Sequence, residues 1–311
     1  MLKEAGFDVT SASDKSIISQ DDLISTLKNY NVLLCSGPDK LDKHFLNSCS
    51  HLDMISQFAA GYDNIDVDEA TRLGLPIGYT PGAMRNATAD IAFGLMIATS
   101  RKMFFMHKKI INDQWPEFRP TENLGIELKN KTLGILGLGR IGMEMAKRCK
   151  GAYGMDILYR NRQPNAEADA TLNAQLVDFN TLLEKSDVLS VHCALTDETR
   201  GVFNKDAFAQ MKSSAIFINT SRGSVHNEPD LIEALNSGQI WGAGMDVTNP
   251  EPMRPDNPLL SMPNVCVLPH TGSATVEARD EMGRLAAQNI IQFYTNNTIP
   301  NIINPEVLTN R

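Results

Sequence analysis

The stretch Thr132-Leu-Gly-Ile-Leu-Gly-Leu-Gly-Arg-Ile-Gly142 decides the fold class, because an apolar strand runs directly into a glycine-spaced turn. Gly137, Gly139 and Gly142 give the pattern G-x-G-x-x-G, and apolar residues then recur at helical spacing. In a dinucleotide-binding turn the first glycine makes the sharp turn, the second lets the backbone approach a pyrophosphate, and the third allows close packing of helix and strand. The pyrophosphate lies at the helix N-terminus, where N–H groups are unpaired. The stretch therefore predicts a dinucleotide site, with a purely structural turn as the alternative.

The residues after the next predicted strand indicate which dinucleotide binds. A ribose-binding Asp or Glu is expected about 20 residues past the first glycine, but the chain reads Arg160-Asn161-Arg162 there. Two guanidinium groups suit the 2′-phosphate of NADP(H). A solvated basic loop is the other interpretation. The sequence thus predicts NADP(H) as the preferred cofactor and leaves NAD(H) possible.

The composition of the chain limits the class of protein and the kinds of partner that it can have. A chain of 311 residues with 42% hydrophobic and 21% charged residues is typical of a soluble globular protein with room for two domains. A net charge of −8 without a basic stripe argues against a nucleic-acid or anionic-membrane partner, and the apolar runs are too short to span a bilayer. The 5 cysteines are scattered without C-x-x-C pairing, and the histidines show no ligand spacing. We therefore expect free thiols, no metal and a reducing, cytoplasmic location, with an organelle left open.

Strand and helix patterns alternate along the chain, which predicts a parallel sheet with helices on both faces. Met1–Gly6 resembles the end of a helix followed by a strand at residues 7–9, so we expect an initial strand and helix to be missing. The predicted strands are 32–35, 53–58, 75–79, 157–159, 188–192, 215–219, 240–247 and 265–268. The predicted helices are a short one between Asp66 and Gly74, then 88–110, 179–185, and one from Glu228 to Gly238.

Three chemically able side chains follow predicted strands. Arg222 comes after one strand, Glu251 after the next and His270 after the third. In sheets of this kind ligands gather outside the carboxyl ends of the strands. Each residue alone would be a solvated charge or a structural histidine, but their shared placement favours a functional site.

Four motifs occur in order along the chain: Gly137-Leu-Gly-Arg-Ile-Gly142, Asn219-Thr-Ser-Arg-Gly223, Asp246-Val-Thr-Asn-Pro-Glu-Pro252 and Leu268-Pro-His-Thr-Gly-Ser-Ala274. They resemble those of the D-isomer-specific 2-hydroxyacid dehydrogenases, and the resemblance covers nearly the whole chain. Within that family, Tyr159-Arg-Asn-Arg-Gln-Pro164 is most similar to the NADPH-dependent glyoxylate/hydroxypyruvate reductases.

The resemblance implies an α/β fold in which a Rossmann-type doubly wound parallel sheet is inserted into a flavodoxin-like α/β substrate domain. Residues 1–100 and 276–311 would form the substrate domain, lacking its first strand, and residues 101–275 the dinucleotide-binding domain. Two long helices, near 88–110 and 274–294, would link them. The family also commonly forms homodimers, so we expect one here, with Trp115 or Arg119 reaching towards the partner's site.

The resemblance further implies the chemistry of 2-oxo acid reduction. Arg222 would clamp the substrate carboxylate and polarise the carbonyl, and His270 would donate the proton to the developing alkoxide. Glu251 would hydrogen-bond the other ring nitrogen and raise the pKa of His270. The backbone amides of Ala60 and Gly61 would receive the carboxylate, although a tight turn after a strand explains these two residues equally well.

The remaining implied residues contact the cofactor. Arg140 and Ile141 would lie at the pyrophosphate with the three glycines, and Thr88 would donate to a cofactor phosphate or simply cap its helix. Cys193 and Ala194 would line the nicotinamide side, Asp246 would meet the carboxamide, and Gly272 and Ser273 would close the far side.

Other classes stay open at this point. Within the enzymes, a D-lactate, formate or phosphoglycerate dehydrogenase is the alternative. A cofactor-sensing protein similar to the dehydrogenase-fold corepressors would keep the same motifs, but Arg160 and Arg162 favour NADP(H), whereas such a sensor is expected to favour NAD(H). A truncated relative with little activity is the third interpretation.

Overall fold

The computed structural model describes residues 1–12, 18–37 and 39–309 of the chain. The chain divides into two compact units, Met1–Met84 with Thr275–Arg311, and Arg85–Ala274. The strands are β1 (Val32–Cys35), β2 (Met54–Gln57), β3 (Ile77–Gly78), β4 (Thr132–Leu136), β5 (Asp156–Arg160), β6 (Gln175–Leu176), β7 (Val188–Val191), β8 (Ile216–Asn219), β9 (Gly242–Met245) and β10 (Val265–Val267). The α-helices are α1 (Gln20–Leu27), α2 (Lys43–Ser48), α3 (Val67–Arg72), α4 (Arg85–Ser100), α5 (Met103–Ile111), α6 (Arg140–Tyr153), α7 (Ala166–Leu172), α8 (Phe179–Lys185), α9 (Lys205–Gln210), α10 (Glu228–Asn236), α11 (Val276–Asn296) and α12 (Glu306–Thr309).

The first unit contains a small parallel sheet in the order β1-β2-β3. Its helices begin at side-chain caps where the sequence suggests them, since Asp66 accepts a hydrogen bond from the Glu69 backbone at the start of α3. Gly74 follows that helix with φ +68, a conformation that suits glycine. Helix α11 belongs to this unit and contacts its sheet, since Ser56 Oγ on β2 donates to the Ala286 carbonyl over 2.9 Å.

The second unit is a seven-stranded parallel sheet in the order β10-β9-β8-β7-β4-β5-β6. The order reverses between β4 and β7, which is the topological switch point of a doubly wound sheet. Successive residues of one strand face opposite sides, so Ile216 and Ile218 of β8 pack into one core cluster and Phe217 into the other. Both faces of the sheet are therefore covered, as the predicted Rossmann-type α/β class requires.

The prediction of one long helix over residues 88–110 is wrong, because the structure has two helices there, α4 and α5. Lys102 adopts φ 56 between α4 and α5, and this left-handed conformation ends the first helix. The Ser100 carbonyl at the end of α4 accepts a hydrogen bond from the Ile126 backbone over 2.9 Å instead of continuing the helix. The expected helix near 274–294 is present as α11, with Thr275 as its cap.

The start of the chain also differs from expectation. Residues 2–6 form a turn, in which the Ala5 N–H bonds to the Met1 carbonyl over 2.9 Å, rather than the end of a helix. Residues 7–9 are described and are not a strand. No helix among the described residues is long and apolar enough to cross a membrane.

The division into units falls at residues 84/85 and 274/275, whereas the sequence suggested boundaries near 100 and 276. Helix α4 accounts for the difference, because Leu95 and Met96 pack into the core cluster that contains Ile135 of β4 and Met145 of α6. The assignment of the two units to substrate and cofactor stays a prediction.

Candidate active site

The glycine turn has the close approaches that its pattern predicts. Gly137 has φ +92, and a Cβ there would stand 2.5 Å from the backbone nitrogen of Cys193. A Cβ on Gly142 would stand 2.8 Å from the Gly137 carbonyl oxygen. At Gly139, which precedes α6, a Cβ would meet no described atom within 4 Å, and no side chain in the described residues caps the helix. The turn thus leaves an open approach to uncapped N–H groups, which fits the pyrophosphate of a dinucleotide.

The residues after β5 lie next to this turn. The Gly137 N–H bonds to the Arg160 carbonyl over 3.1 Å, and the Leu138 N–H donates to Asn161 Oδ1 over 2.7 Å. Arg160 and Arg162 are exposed. Two exposed basic residues therefore flank Asn161, whose side chain contacts the glycine turn where the adenosine end of a dinucleotide is expected.

The structure brings His270 and Glu251 into direct contact. His270 Nδ1 lies 2.9 Å from Glu251 Oε2, and the Thr248 N–H donates to the other carboxylate oxygen over 2.9 Å. Both side chains remain partly accessible, at 50% and 39%. These residues follow β10 and β9, which are neighbours in the sheet. The pair therefore forms a hydrogen-bonded dyad at the carboxyl edge of the strands.

The dyad shifts the pKa values of its members in opposite directions. The hydrogen bond that His270 donates to Glu251 raises the pKa of His270, and burial opposes this only in part. Burial alone would raise the pKa of Glu251, but hydrogen bonds from His270 and the Thr248 backbone, with the charges of His270 and Arg222, hold it below its usual value. The imidazolium is thus favoured, as a proton donor near neutral pH requires.

Arg222 is held by its backbone in the loop after β8. Its carbonyl accepts a hydrogen bond from Asn219 Nδ2 over 2.9 Å, and its Nη1 donates to the Ser221 carbonyl over 2.8 Å. The charge of Arg222 acts on both members of the dyad, raising the acidity of each. Gly223 packs directly against the Thr248 backbone, so a side chain at this position would collide with the loop that carries Glu251. The three residues predicted from strand ends therefore share one site.

Comparison with known proteins identifies the family. The family model for the D-isomer specific 2-hydroxyacid dehydrogenase NAD binding domain matches residues 93–272, more than half of the chain. The chain belongs to the D-isomer-specific 2-hydroxyacid dehydrogenases. It is therefore an oxidoreductase with a binding domain for a nicotinamide dinucleotide.

Relatives in this dehydrogenase family share sequence over most of the chain. A glyoxylate reductase of Thermococcus litoralis is 43% identical over 291 residues, covering 92% of this chain and 87% of that protein. A glyoxylate reductase/hydroxypyruvate reductase of Mus musculus is 40% identical over 284 residues, covering 91% and 87%. Among solved structures, an NADPH-dependent glyoxylate/hydroxypyruvate reductase from Sinorhizobium meliloti, in complex with NADP and malonate, matches with a TM-score of 0.81 and 30% identity over 90% of this chain and 85% of that one.

Asp246 anchors the loop that follows His270 in this dehydrogenase. It is 1% exposed, and its carboxylate accepts hydrogen bonds from the backbone N–H groups of Thr271 over 2.7 Å and Gly272 over 2.6 Å. The buried Thr88 hydroxyl donates to the Gly272 carbonyl over 3.0 Å, and Thr88 lies inside α4 rather than at its cap. The structure thus assigns the Asp246 carboxylate and the Thr88 hydroxyl to loop contacts, and their contacts with the cofactor stay predictions.

The other predicted site residues lie after strands or at the start of a helix, and their roles stay predictions. Ser273 follows the loop held by Asp246, and Cys193 and Ala194 follow β7 directly beside the glycine turn. Arg140 and Ile141 open α6. Ala60 and Gly61 follow β2 in the first unit, where the Gly61 carbonyl lies 3.4 Å from Gln57 Nε2. The described residues contain no group of three or more His, Cys, Asp or Glu that could hold a metal ion.

Sequence reasoning missed the residues that position this machinery. Asn219 is completely buried, and its amide bonds the Arg222 carbonyl, the Ser221 N–H and the His226 ring. Burial lowers the pKa of His226 to about 4, so this histidine is neutral near pH 7. Asn165 is a second missed residue, because its amide contacts the glycine turn. The only sequence signal for both asparagines is an amide at the end of a strand or before a helix.

Proposed function

We propose that this protein reduces a small 2-oxo acid, glyoxylate or hydroxypyruvate, to the D-2-hydroxy acid with NADPH. The observation that carries the proposal is the 2.9 Å contact between His270 Nδ1 and Glu251 Oε2, beside Arg222, within a nicotinamide-binding fold. The relative from Thermococcus litoralis is a glyoxylate reductase and the one from Mus musculus a glyoxylate reductase/hydroxypyruvate reductase, which supports this substrate class.

The dyad would act as the proton source. Because Glu251 occupies Nδ1 of His270, the ring presents Nε2 as the donor to the substrate carbonyl oxygen. The bound NADPH would supply the hydride to C2 of the acid. His270 would transfer its proton to the developing alkoxide, leaving a neutral imidazole that regains a proton from solvent. Such acid catalysis is typically worth ~10²–10⁴-fold in rate.

Arg222 would hold the substrate carboxylate. Its planar guanidinium can pair with two carboxylate oxygens and places positive charge where negative charge develops on the carbonyl. Its own charge opposes protonation of His270, so the raised pKa of the histidine depends on Glu251. That the backbone amides of Ala60 and Gly61 receive the substrate carboxylate is a separate proposal, which rests on the family resemblance alone.

The preference for NADPH rests on Arg160 and Arg162. Both are exposed beside the glycine turn, and no acidic residue replaces them at the end of β5. The NADP complex of the Sinorhizobium meliloti reductase supports this choice. NAD(H) remains the second cofactor to test.

We also propose a homodimer. The segment 110–124 of the second unit exposes large apolar side chains, including Trp115 at 70% and Phe118 at 85%. Exposed apolar surface of this kind marks protein interfaces. A second copy of this chain is the partner that the family resemblance implies.

The test is oxidation of NADPH with hydroxypyruvate and with glyoxylate, with NADH run in parallel. We expect turnover that favours NADPH, and His270→Ala should reduce kcat by ~10²–10⁴-fold while leaving NADPH affinity nearly unchanged. Arg162→Ala should lower the preference for NADPH over NADH by ~1–3 kcal/mol. Near-parental kcat/KM in His270→Ala would contradict the role of the dyad. A folded protein that binds NADPH without turnover would favour another substrate or a sensing role.

A further inference from the structure

Two asparagine side chains join the basic loop, residues 160–164, to the glycine turn. Asn161 makes a reciprocal pair with Leu138, accepting from its N–H over 2.7 Å and donating to its carbonyl over 3.2 Å. Asn165 Nδ2 donates to the same carbonyl over 3.1 Å. Leu138 lies between the first two glycines of the turn and is 1% exposed. The basic loop is therefore tied, through Asn161 within it and Asn165 just after it, to one residue of the glycine turn.

Asn165 is the more informative of the two, because each of its polar groups has a separate partner. Its Oδ1 caps α7 by accepting from the Ala168 N–H over 3.2 Å. Its backbone N–H donates to Tyr159 Oη over 2.8 Å, and that buried hydroxyl donates in turn to Asp169 over 2.8 Å. Only Nδ2 reaches the glycine turn. The helix cap and the contact with the turn thus use different atoms of one side chain.

Arg162 lies between the two tethers. It is exposed, and its charge lowers the pKa of Glu198, after hydrogen bonds from Thr196 and the Glu198 backbone. An exposed arginine on an untethered loop loses conformational freedom when it binds a phosphate, and this loss weakens binding. Fixing the loop in advance removes part of that cost.

We propose that Asn165 is a positioning residue for cofactor specificity: its Nδ2 contact with the Leu138 carbonyl holds the basic loop so that Arg162 is presented to the 2′-phosphate of NADPH. The inference rests on the proposed preference for NADPH. NADH has no 2′-phosphate, so the contact contributes to discrimination between the cofactors. A role confined to capping α7 would affect both cofactors alike.

Asn165→Ser separates the two roles. Serine is an equally good N-cap, but its side chain is too short to reach the Leu138 carbonyl. Asn165→Ala removes both the cap and the contact, and serves as the matched comparison. Both variants lose the hydrogen bond to the Leu138 carbonyl, and we expect Asn165→Ala to lose a further ~1 kcal/mol of stability with the cap.

The measurement is the Kd of NADPH, NADH and 2′,5′-ADP for the full chain by titration calorimetry. Asn165→Ser should raise the Kd of NADPH and of 2′,5′-ADP about fivefold, the size of one lost hydrogen bond, while the Kd of NADH stays nearly unchanged. In an Arg162→Ala background the same substitution should change none of the three, because the residue acts through Arg162.

An unchanged ratio of NADH to NADPH affinity in Asn165→Ser would overturn the inference, as would equal weakening of both cofactors or full additivity with Arg162→Ala. A parental protein that binds NADH as tightly as NADPH would overturn the proposed preference and this inference together. If the parental protein prefers NADPH and Asn165→Ser keeps that preference unchanged, the inference about Asn165 is overturned while the proposed cofactor preference stands.

Discussion

At the residue scale, both the backbone conformation of His270 and the contacts of its ring indicate a functional position. It has φ 55, a left-handed conformation that costs a non-glycine residue about 1–3 kcal/mol. Its N–H bonds to the Asp246 carbonyl over 2.9 Å, and its ring bonds to Glu251. The surrounding contacts therefore hold the histidine in one orientation, and strain of this kind is characteristic of functional sites.

The dyad gives a prediction about pH. If His270 is the proton donor, as we propose, the rate of reduction falls as pH rises through the pKa of this residue. Because the hydrogen bond to Glu251 raises that pKa, Glu251→Gln should move the alkaline limb of the kcat/KM profile to lower pH. Oxidation of the hydroxy acid needs the neutral ring, so its acid limb should move in the same direction.

The pH profiles of both reactions should be measured beside Glu281→Gln as the control. Glu281 also pairs with a cation, Arg284 over 2.6 Å, but it lies on α11 in the first unit. It should leave both limbs in place. If Glu251→Gln lowered the rate without moving either limb, the carboxylate would orient the ring without controlling its protonation.

At the element scale, two glycines of the same turn should respond differently to substitution: one should affect the stability of the fold and the other the binding of the cofactor. Gly137→Ala places a side chain at φ +92 and against the Cys193 backbone, so we expect a loss of roughly 1–3 kcal/mol from the conformation alone. Gly139→Ala meets no described atom within 4 Å and should keep the parental Tm. Its methyl group would stand where we propose that the pyrophosphate approaches, so the variant should weaken the binding of NADPH and of NADH by a similar factor.

Thermal unfolding and cofactor titration together check this pair. A Gly139→Ala variant that unfolds early, or that binds both cofactors normally, would contradict the assignment of this glycine. Normal stability in Gly137→Ala would mean that the turn can move away from β7.

The elements also show what sequence patterns can predict. Strands β7 and β8 and helix α8 were predicted nearly to the residue, because buried apolar runs and side-chain caps are local signals. The break at Lys102 could not be predicted, since it depends on residue 126, distant in sequence, bonding to Ser100. Helices α7 and α9 were not predicted, although they are as short as α3 and α8, which were.

At the scale of the whole molecule, the site was predictable to the extent that topology alone collects its residues. Parallel strands end at one edge, so Arg222, Glu251 and His270 were expected together. The contacts of Asn219 and Asn165 were not, because they depend on which backbone groups the folded loops present. Motif residues thus follow from sequence, whereas the residues that hold them in place require coordinates.

The assembly of the whole molecule supplies the last prediction. Phe118 is 85% exposed, and burying such a side chain contributes about 2 kcal/mol. If segment 110–124 forms the homodimer interface, Phe118→Asp should weaken dimerisation by at least roughly thirtyfold in Kd. Val276→Asp is the control, because Val276 is similarly exposed, at 73%, in the other unit. Light scattering during size exclusion should give about twice 34.3 kDa for the parental chain and the control, and a concentration-dependent lower mass for Phe118→Asp. A parental chain that stays monomeric, or a Phe118→Asp variant that dimerises as tightly, would remove this segment as the interface.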